Sequence, residues 1–506
     1  MRLNIVRFAP RVLAGSSQAP PRPENRGKGK RETCRFPCGI RRIVDARKFE
    51  NAIGQLGKAK VDMTNTNSKG MSRRQFLRTM GAAGAALTVL PGGIHASYAA
   101  NSKLQVASIG VGRNLPALMS SEKMEFVALC DVDANQLENV GAEYPDARRF
   151  TDWRELFDAM GDEIDAVHVP TPDHSHAGPA MRAINMGKHA FVEKPLTHQV
   201  NEARQLKLAA QREGVVTQMG IQVHSSSSYR NAVAIVQSGI IGRVKEVHSW
   251  SDKTWGRDED GLPGNTEEPP DSVNWDAWVG PAQWRDYAPG HYHRSNWRRW
   301  LDFGCGTMGD MGIHILDPVA CALELGPPTT ILSQSPSPFE YAHRNANRVR
   351  YTFAGTPYTD GEIALTWYDG RDMPEPDGWP ELPDGIGMPG QGSIFLGEEG
   401  ALLLPHGDRP YLIPEEDFAD FESPSMGSNN HYHQWVNACL GEDETSADFD
   451  YSGPLTEMLL LGVLACRFPT QELQWDADAM QFTNFSEANA LLEIPYRDGW
   501  KVDGLA

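Results

Sequence analysis

The sequence predicts an α/β protein in two parts, a parallel-sheet domain over residues 102–222 and an α+β domain over residues 223–506. Three observations lead there. From Lys103 onward, short apolar runs alternate with helical stretches, the pattern of βαβ units. These runs end in glycines or polar residues, which in an open parallel sheet gathers them along one edge. After Gln222 the rhythm changes to a helix followed by longer alternating strands, and 506 residues with 40% hydrophobic content suffice for two or three domains with proper cores.

The residues before Lys103 read differently. Residues 1–70 hold 16 Lys and Arg against 5 Asp and Glu, whereas residues 71–506 hold 32 against 61. The acidic body disfavours nucleic acid and anionic membrane surfaces as partners. Residues 1–70 are Arg-, Pro- and Gly-rich without periodicity, so they read as an extension with little fixed structure of its own. Ser72-Arg73-Arg74-Gln75-Phe76-Leu77-Arg78, a weakly apolar run and the small-x-small pattern Ser97-Tyr98-Ala99 resemble a twin-arginine export signal over residues 71–99. That resemblance implies export by the twin-arginine machinery to the periplasm, and it makes Met71 the expected start of the natural chain. No stretch reaches the roughly 20 apolar residues of a membrane span. The seven cysteines are too few for a disulfide scaffold, and Cys34 and Cys38 lack the second half of a zinc site.

The first strand, Leu104–Ile109, leads into Gly110-Val111-Gly112-Arg113-Asn114-Leu115. Glycines at a strand end let the backbone approach a pyrophosphate, and the helix that follows offers N–H donors. Leu115 stands where the dinucleotide fingerprint G-x-G-x-x-G has its third glycine. The second strand, Phe126–Cys130, ends at Asp131, 19 residues after Gly112, the place of an acid that binds a ribose 2′-hydroxyl. Neither Val132 nor Asp133 is basic, so NAD is expected in preference to NADP. The strand 165–170 runs into Thr171-Pro172-Asp173-His174-Ser175-His176, a helix follows over 177–186, and the strand His189–Val192 runs into Glu193-Lys194-Pro195. A last strand, Val215–Met219, brings Gly220 and Gln222 to the same edge.

Thr171-Pro172 with His176, Glu193-Lys194-Pro195 after an apolar strand, and the glycine turn with Asp131 resemble the Gfo/Idh/MocA family, named for glucose-fructose oxidoreductase and inositol dehydrogenase. The resemblance continues through Asn274–Pro281, through Asp302–His314 and to Tyr496–Trp500. It implies a Rossmann-type parallel sheet, then an open, mainly antiparallel sheet that walls the substrate site and commonly forms the interface of a dimer or tetramer. For the dinucleotide it implies contacts from Gly110, Gly112, Arg113, Asn114, Asp131, Thr171, Pro172, His176, Glu193, Lys194 and Gln222.

In the second part a helix over 229–238 and the strand Val244–Trp250 precede strands near 348–353 and 362–367, and the Trp/Pro/Gly-rich stretches 251–300 and 370–392 read as loops. Aromatic and His side chains in such loops suit a carbohydrate; His291, His293, Trp297 and Arg298 are candidate substrate contacts. Asp310 and His314, four apart, would share one face of a helix beginning near Thr307. An imidazole beside a carboxylate can take a proton from a hydroxyl, and a partly desolvated Lys194 could share that movement or polarise the forming carbonyl. By resemblance, Lys194, Asp310 and His314 are the catalytic group. His431 and His433, two apart, do not share a helix face, and no metal is expected. The expected activity is hydride transfer from a secondary alcohol of a sugar, polyol or glycoside to tightly bound NAD. The alternative is an NAD-dependent glycosidase with no net redox change.

Overall fold

Six strands build the first sheet of the computed structural model, which describes residues 103–505 apart from 113, 114, 383 and 384. They are β1 (Leu104–Ile109), β2 (Met124–Cys130), β3 (Arg148–Phe150), β4 (Ala166–Val169), β5 (His189–Glu193) and β6 (Thr217–Gly220). All pair in parallel, in the order β3-β2-β1-β4-β5-β6. A parallel sheet needs both faces covered, which is why β4 and β6 are buried along their whole length. The crossovers carry α1 (Leu115–Met119), α2 (Ala134–Gly141), α3 (Trp153–Met160), α4 (Ala177–Asn185) and α5 (Val200–Glu213). Sequence sets their limits: Asp133 accepts the N–H groups of Asn135 and Gln136 to start α2, and Gly214, at φ +65°, closes α5.

The second sheet has nine strands, among them β7 (Val244–Ser251), β8 (Pro328–Ser333), β9 (Ala346–Phe353), β10 (Thr359–Gly370), β11 (Gln391–Gly397), β12 (Ala401–Pro405) and β13 (Tyr411–Ile413), completed by β14 (Glu472–Asp476) and β15 (Gln481–Phe482). Their order is β13-β12-β11-β7-β10-β9-β8-β14-β15, antiparallel throughout except for the parallel β7–β10 pair. The expected α/β class, with a parallel sheet before a mainly antiparallel one, is the observed architecture. Helices α6 (Ser227–Ser238), α7 (Trp275–Val279) and α8 (Ile313–Leu323) belong to this half.

Late in the chain, α9 (His431–Cys439) and α10 (Phe449–Ala465) return to the first sheet. Trp435, fully buried, joins Leu104, Phe126 and Phe191 in one apolar cluster, and Met219 N–H donates to Ala447 O at 2.8 Å. Burying a side chain of that size is worth about 2–3 kcal/mol, so α9 is held by the parallel sheet rather than by its own nine residues. Among the described residues no helix is long and apolar enough to cross a membrane.

Two expectations change. The helix expected from Thr307 begins at Gly306 but widens into a π-helical turn over Met308–Gly312 before it continues as an α-helix from Ile313. A Cβ on Gly309 would stand 2.2 Å from Cys305 Cβ and one on Gly312 3.0 Å from Leu459, so the wide turn is packed closely through its glycines. The stretch 251–300, expected as loop, contains α7 and an ordered aromatic cluster in which Trp275 stacks on Trp278 at 4.5 Å. The expected export segment over 71–99 and the extension before it lie outside the described residues, as do Arg113 and Asn114.

Candidate active site

At the end of β1, Gly110 has φ +105°, a conformation open to glycine, and its N–H donates to Cys130 O at 2.7 Å. A Cβ there would stand 3.2 Å from Pro170 Cγ, and one on Gly112 3.7 Å from Pro170 Cβ. The glycine turn and the end of β4 thus form a narrow backbone cradle at the point where the strand order reverses, the usual seat of a dinucleotide pyrophosphate. Asp131 follows β2, and its carboxylate accepts the N–H groups of Val111 and Asp133, each at 3.0 Å. Those bonds fix the carboxylate beside the turn and leave lone pairs for a ribose hydroxyl. Burial raises the Asp131 pKa from its ordinary value, against the lowering effect of the two N–H groups. The donors and acceptors of this edge therefore fit a nicotinamide dinucleotide.

Thr171 Oγ1 donates to Ser175 O at 3.1 Å, closing the turn that Pro172 enters. His176 is 1% exposed, with Nε2 2.8 Å from Thr171 O and Nδ1 2.8 Å from Pro195 O. Both ring nitrogens are engaged by backbone, so His176 ties the two loops together instead of reaching a ligand. Asp173 and His174, in the same motif, hold the second half of the chain. Cys305 N–H donates to Asp173 Oδ2 at 3.1 Å, while His174 places Nε2 2.9 Å from Trp278 O and Nδ1 3.2 Å from Phe303 O. Gln222 donates to Tyr432 Oη at 3.1 Å, and Tyr432 stacks on Phe191 at 5.5 Å; Glu193 packs against Gly220.

Lys194, the residue after β5, donates through Nζ to Asp310 Oδ1 at 2.8 Å and to Asp310 O at 2.6 Å. Arg298 Nε donates to the same Oδ1 at 3.0 Å. Burial alone would raise the Asp310 pKa, but Lys194 and Arg298 outweigh it and hold the carboxyl well below its ordinary range. His314, buried on α8, is driven well below the ordinary imidazole value, first by burial and then by Lys194 and His406, so its ring is neutral. Its Nδ1 is buried without a hydrogen-bond partner. The site thus pairs a fixed ammonium with a neutral imidazole beside the ends of the parallel strands.

Of the candidate substrate contacts, Arg298 alone reaches this group. Trp297 is buried and carries the Arg298 guanidinium 4.2 Å above its ring. His293 lies elsewhere, close enough to Asp131 and Asp133 for their charges to act on its ring, and beside Arg294, which contacts Asp133 at 3.3 Å. It is carried there because Asn274 N–H donates to Val132 O and Ala134 N–H to Ser272 O, both at 2.8 Å, docking the 251–300 stretch on the end of β2. His291 lines a separate polar cavity of about 380 Å³ with Arg257, Arg299 and Asn345.

Two residues that no motif of the sequence marks also face the Lys194–Asp310–His314 group. The His406 ring lies 5.7 Å from that of His314, with Nδ1 2.7 Å from Tyr229 Oη. Lys253 Nζ contacts Met311 Sδ at 3.0 Å. His406 is a single residue after β12 and belongs to no motif; for Lys253 the sole signal is its place just beyond β7.

Two family models match this chain, an oxidoreductase family NAD-binding Rossmann fold over residues 104–221 and the same family's C-terminal alpha/beta domain over residues 229–367. Levoglucosan dehydrogenase of Pseudarthrobacter phenanthrenivorans is 26% identical over 177 residues, 34% of this chain and 37% of that protein. Inositol 2-dehydrogenase of Salmonella typhimurium is 28% identical over 127 residues, 25% of this chain and 37% of its own. The chain therefore spans well under half the length of these curated relatives. The WlbA dehydrogenase of Chromobacterium violaceum, solved with NADH and UDP-GlcNAcA, shares the fold with a TM-score of 0.54 at 15% identity, over 76% of this chain and 100% of that one.

Proposed function

Because the chain belongs to the Gfo/Idh/MocA oxidoreductase family, we propose that it is an NAD-dependent dehydrogenase that oxidises a secondary alcohol of a sugar or polyol. The observation that carries this reading is the Lys194–Asp310 pair beside the neutral His314. The names of the levoglucosan and inositol dehydrogenases support the substrate class.

Gly110, Gly112 and Asp131 would hold the pyrophosphate and ribose of NAD, with Thr171, Glu193 and Gln222 along the same strand ends. The bound nicotinamide supplies the acceptor for the hydride that leaves the carbinol carbon. The residues of the chain handle the proton. The substrate hydroxyl donates to His314, whose neutral ring has a free electron pair for it, and the Lys194 ammonium stabilises the charge that grows on the oxygen as the carbonyl forms. Asp310 holds that ammonium through two bonds, to its side chain and to its backbone. General acid–base groups of this kind contribute about 10²–10⁴-fold. NAD is favoured over NADP because the Asp131 carboxylate would repel a 2′-phosphate. The Arg–Arg sequence at residues 73–74 and the pattern that follows it support export to the periplasm.

The test is to supply the protein with NAD or NADP and a panel of sugars, polyols and glycosides while following NADH absorbance and product. Oxidised sugar formed in proportion to NADH supports the dehydrogenase; aglycone released over many turnovers without net NADH would replace it with the glycosidase. Tighter binding of NADP than of NAD would overturn the cofactor assignment.

A further inference from the structure

Three cationic side chains, Lys194, Arg298 and Lys253, border the cleft. Asp310 Oδ1 receives both Lys194 Nζ and Arg298 Nε. Arg298 uses only Nε there, and its Nη1 donates to Ser295 O at 3.5 Å. The guanidinium carbon lies 4.2 Å from the centre of the Trp297 ring and 5.3 Å from that of Trp255, so two aromatic rings restrict its remaining N–H groups.

Lys253 adds a third cation. Thr307 Oγ1 accepts from Trp255 N–H at 2.8 Å and donates to Lys253 O at 3.2 Å, which pins this segment across the start of the π turn. Lys253 Nζ rests on Met311 Sδ, a thioether that offsets no charge. The charges of Lys253 and Lys194 both act on His314 and His406, so the two lysines and two histidines border one space. Both histidines are pushed toward their neutral forms, chiefly by burial. Asp252 packs against Gly390, while Asp173, 4% exposed, accepts the Cys305 N–H and lies close enough to Arg298 and Lys194 for their charges to act on it.

The Lys253 ammonium rests on a thioether and Arg298 gives Asp310 only its Nε, and the geometry of an arginine fork matches a planar or tetrahedral oxyanion. Resting on the dehydrogenase reading, we propose that the substrate is an anionic sugar, a sugar acid or sugar phosphate, whose oxyanion is held by Arg298 and Lys253 while its carbinol lies at Lys194 and His314. The oxyanion stays intact; the carbinol carbon gives up a hydride to NAD and its hydroxyl proton goes to His314, leaving a ketone.

The test compares matched neutral and anionic sugars, glucose with glucuronate, glucitol with gluconate, and glucose with glucose 6-phosphate, in the NAD-loaded protein. Turnover is read as NADH, and binding by titration calorimetry. The expected result is at least a tenfold advantage of an anionic member in kcat/KM and in affinity, shrinking as salt rises. Lys253 is exposed, so Lys253→Met should fold normally, and it should raise KM for the anion more than for the neutral partner. The carboxylate and phosphate arms identify which oxyanion is used. Equal or better turnover of neutral sugars, or an advantage untouched by Lys253→Met, overturns this proposal while leaving the dehydrogenase standing. Selective anion binding without NADH from any substrate would overturn the dehydrogenase and keep the anion site.

Discussion

Lys194 Nζ grips Asp310 twice, through the side-chain oxygen at 2.8 Å and the backbone carbonyl at 2.6 Å. The bond joins the end of a parallel strand to the π turn of the second half, and the same contact holds Asp310 in its charged form. Removing one partner of such a pair leaves the others uncompensated. Asp310→Asn should lower stability by about 3 kcal/mol, the low end for a buried pair because Lys194 and Arg298 keep some solvent contact. Urea unfolding at pH 7 checks it; a loss near zero would mean the two cations need no counter-charge.

Gly110→Ala should weaken NAD binding by tenfold or more. The new methyl meets Pro170 Cγ at 3.2 Å on a backbone at φ +105°, a strain of about 1–3 kcal/mol at the point where the pyrophosphate would lie. Fluorescence titration of NAD decides it, and unchanged affinity would remove the turn from the binding site.

His174 sets a pH dependence. Burial lowers its pKa to about 3 despite the two carbonyls at its ring nitrogens, whereas in the unfolded chain it titrates near the ordinary value of about 6.5. The unfolded state therefore binds the extra proton as pH falls, and the stability tied to a neutral His174 is present above about 6.5 and lost progressively toward about 3. Denaturation midpoints of the wild type should decline more steeply between pH 6.5 and 4 than those of His174→Gln; parallel curves would contradict the assignment.

Export predicts a processed protein. Expressed in a host with twin-arginine transport, the mature chain should begin near Ala100, and a chain started at Met71 should be exported as well as the full one. N-terminal sequencing of the periplasmic protein reads this directly, and a requirement for residues 1–70 would refute the start at Met71.

The parallel sheet was legible because strands buried on both faces leave unbroken apolar runs, and β1 falls on Leu104–Ile109 as read. The grouping of Lys194, Asp310 and His314 was legible because all three sit in motifs. What stayed hidden depends on contacts between distant segments. The π turn follows from packing Gly309 on Cys305 and Gly312 on Leu459, and residue spacing alone suggested an ordinary helix. His406 reaches His314 through the pairing of β7 with β11 and of β11 with β12, which no local pattern announces. His293, read as a substrate contact, is carried to Asp131 by the bonds of Ala134 and Asn274 to the opposite backbone.

The proposed chemistry is tested most directly by single-turnover reduction of bound NAD by a good substrate in the wild type, Lys194→Ala and His314→Ala, with NAD affinity measured in parallel. Each variant should keep NAD affinity within a few-fold and lose about 10²–10⁴-fold in the rate of reduction. A loss below tenfold in either variant, with NAD still bound, would contradict it.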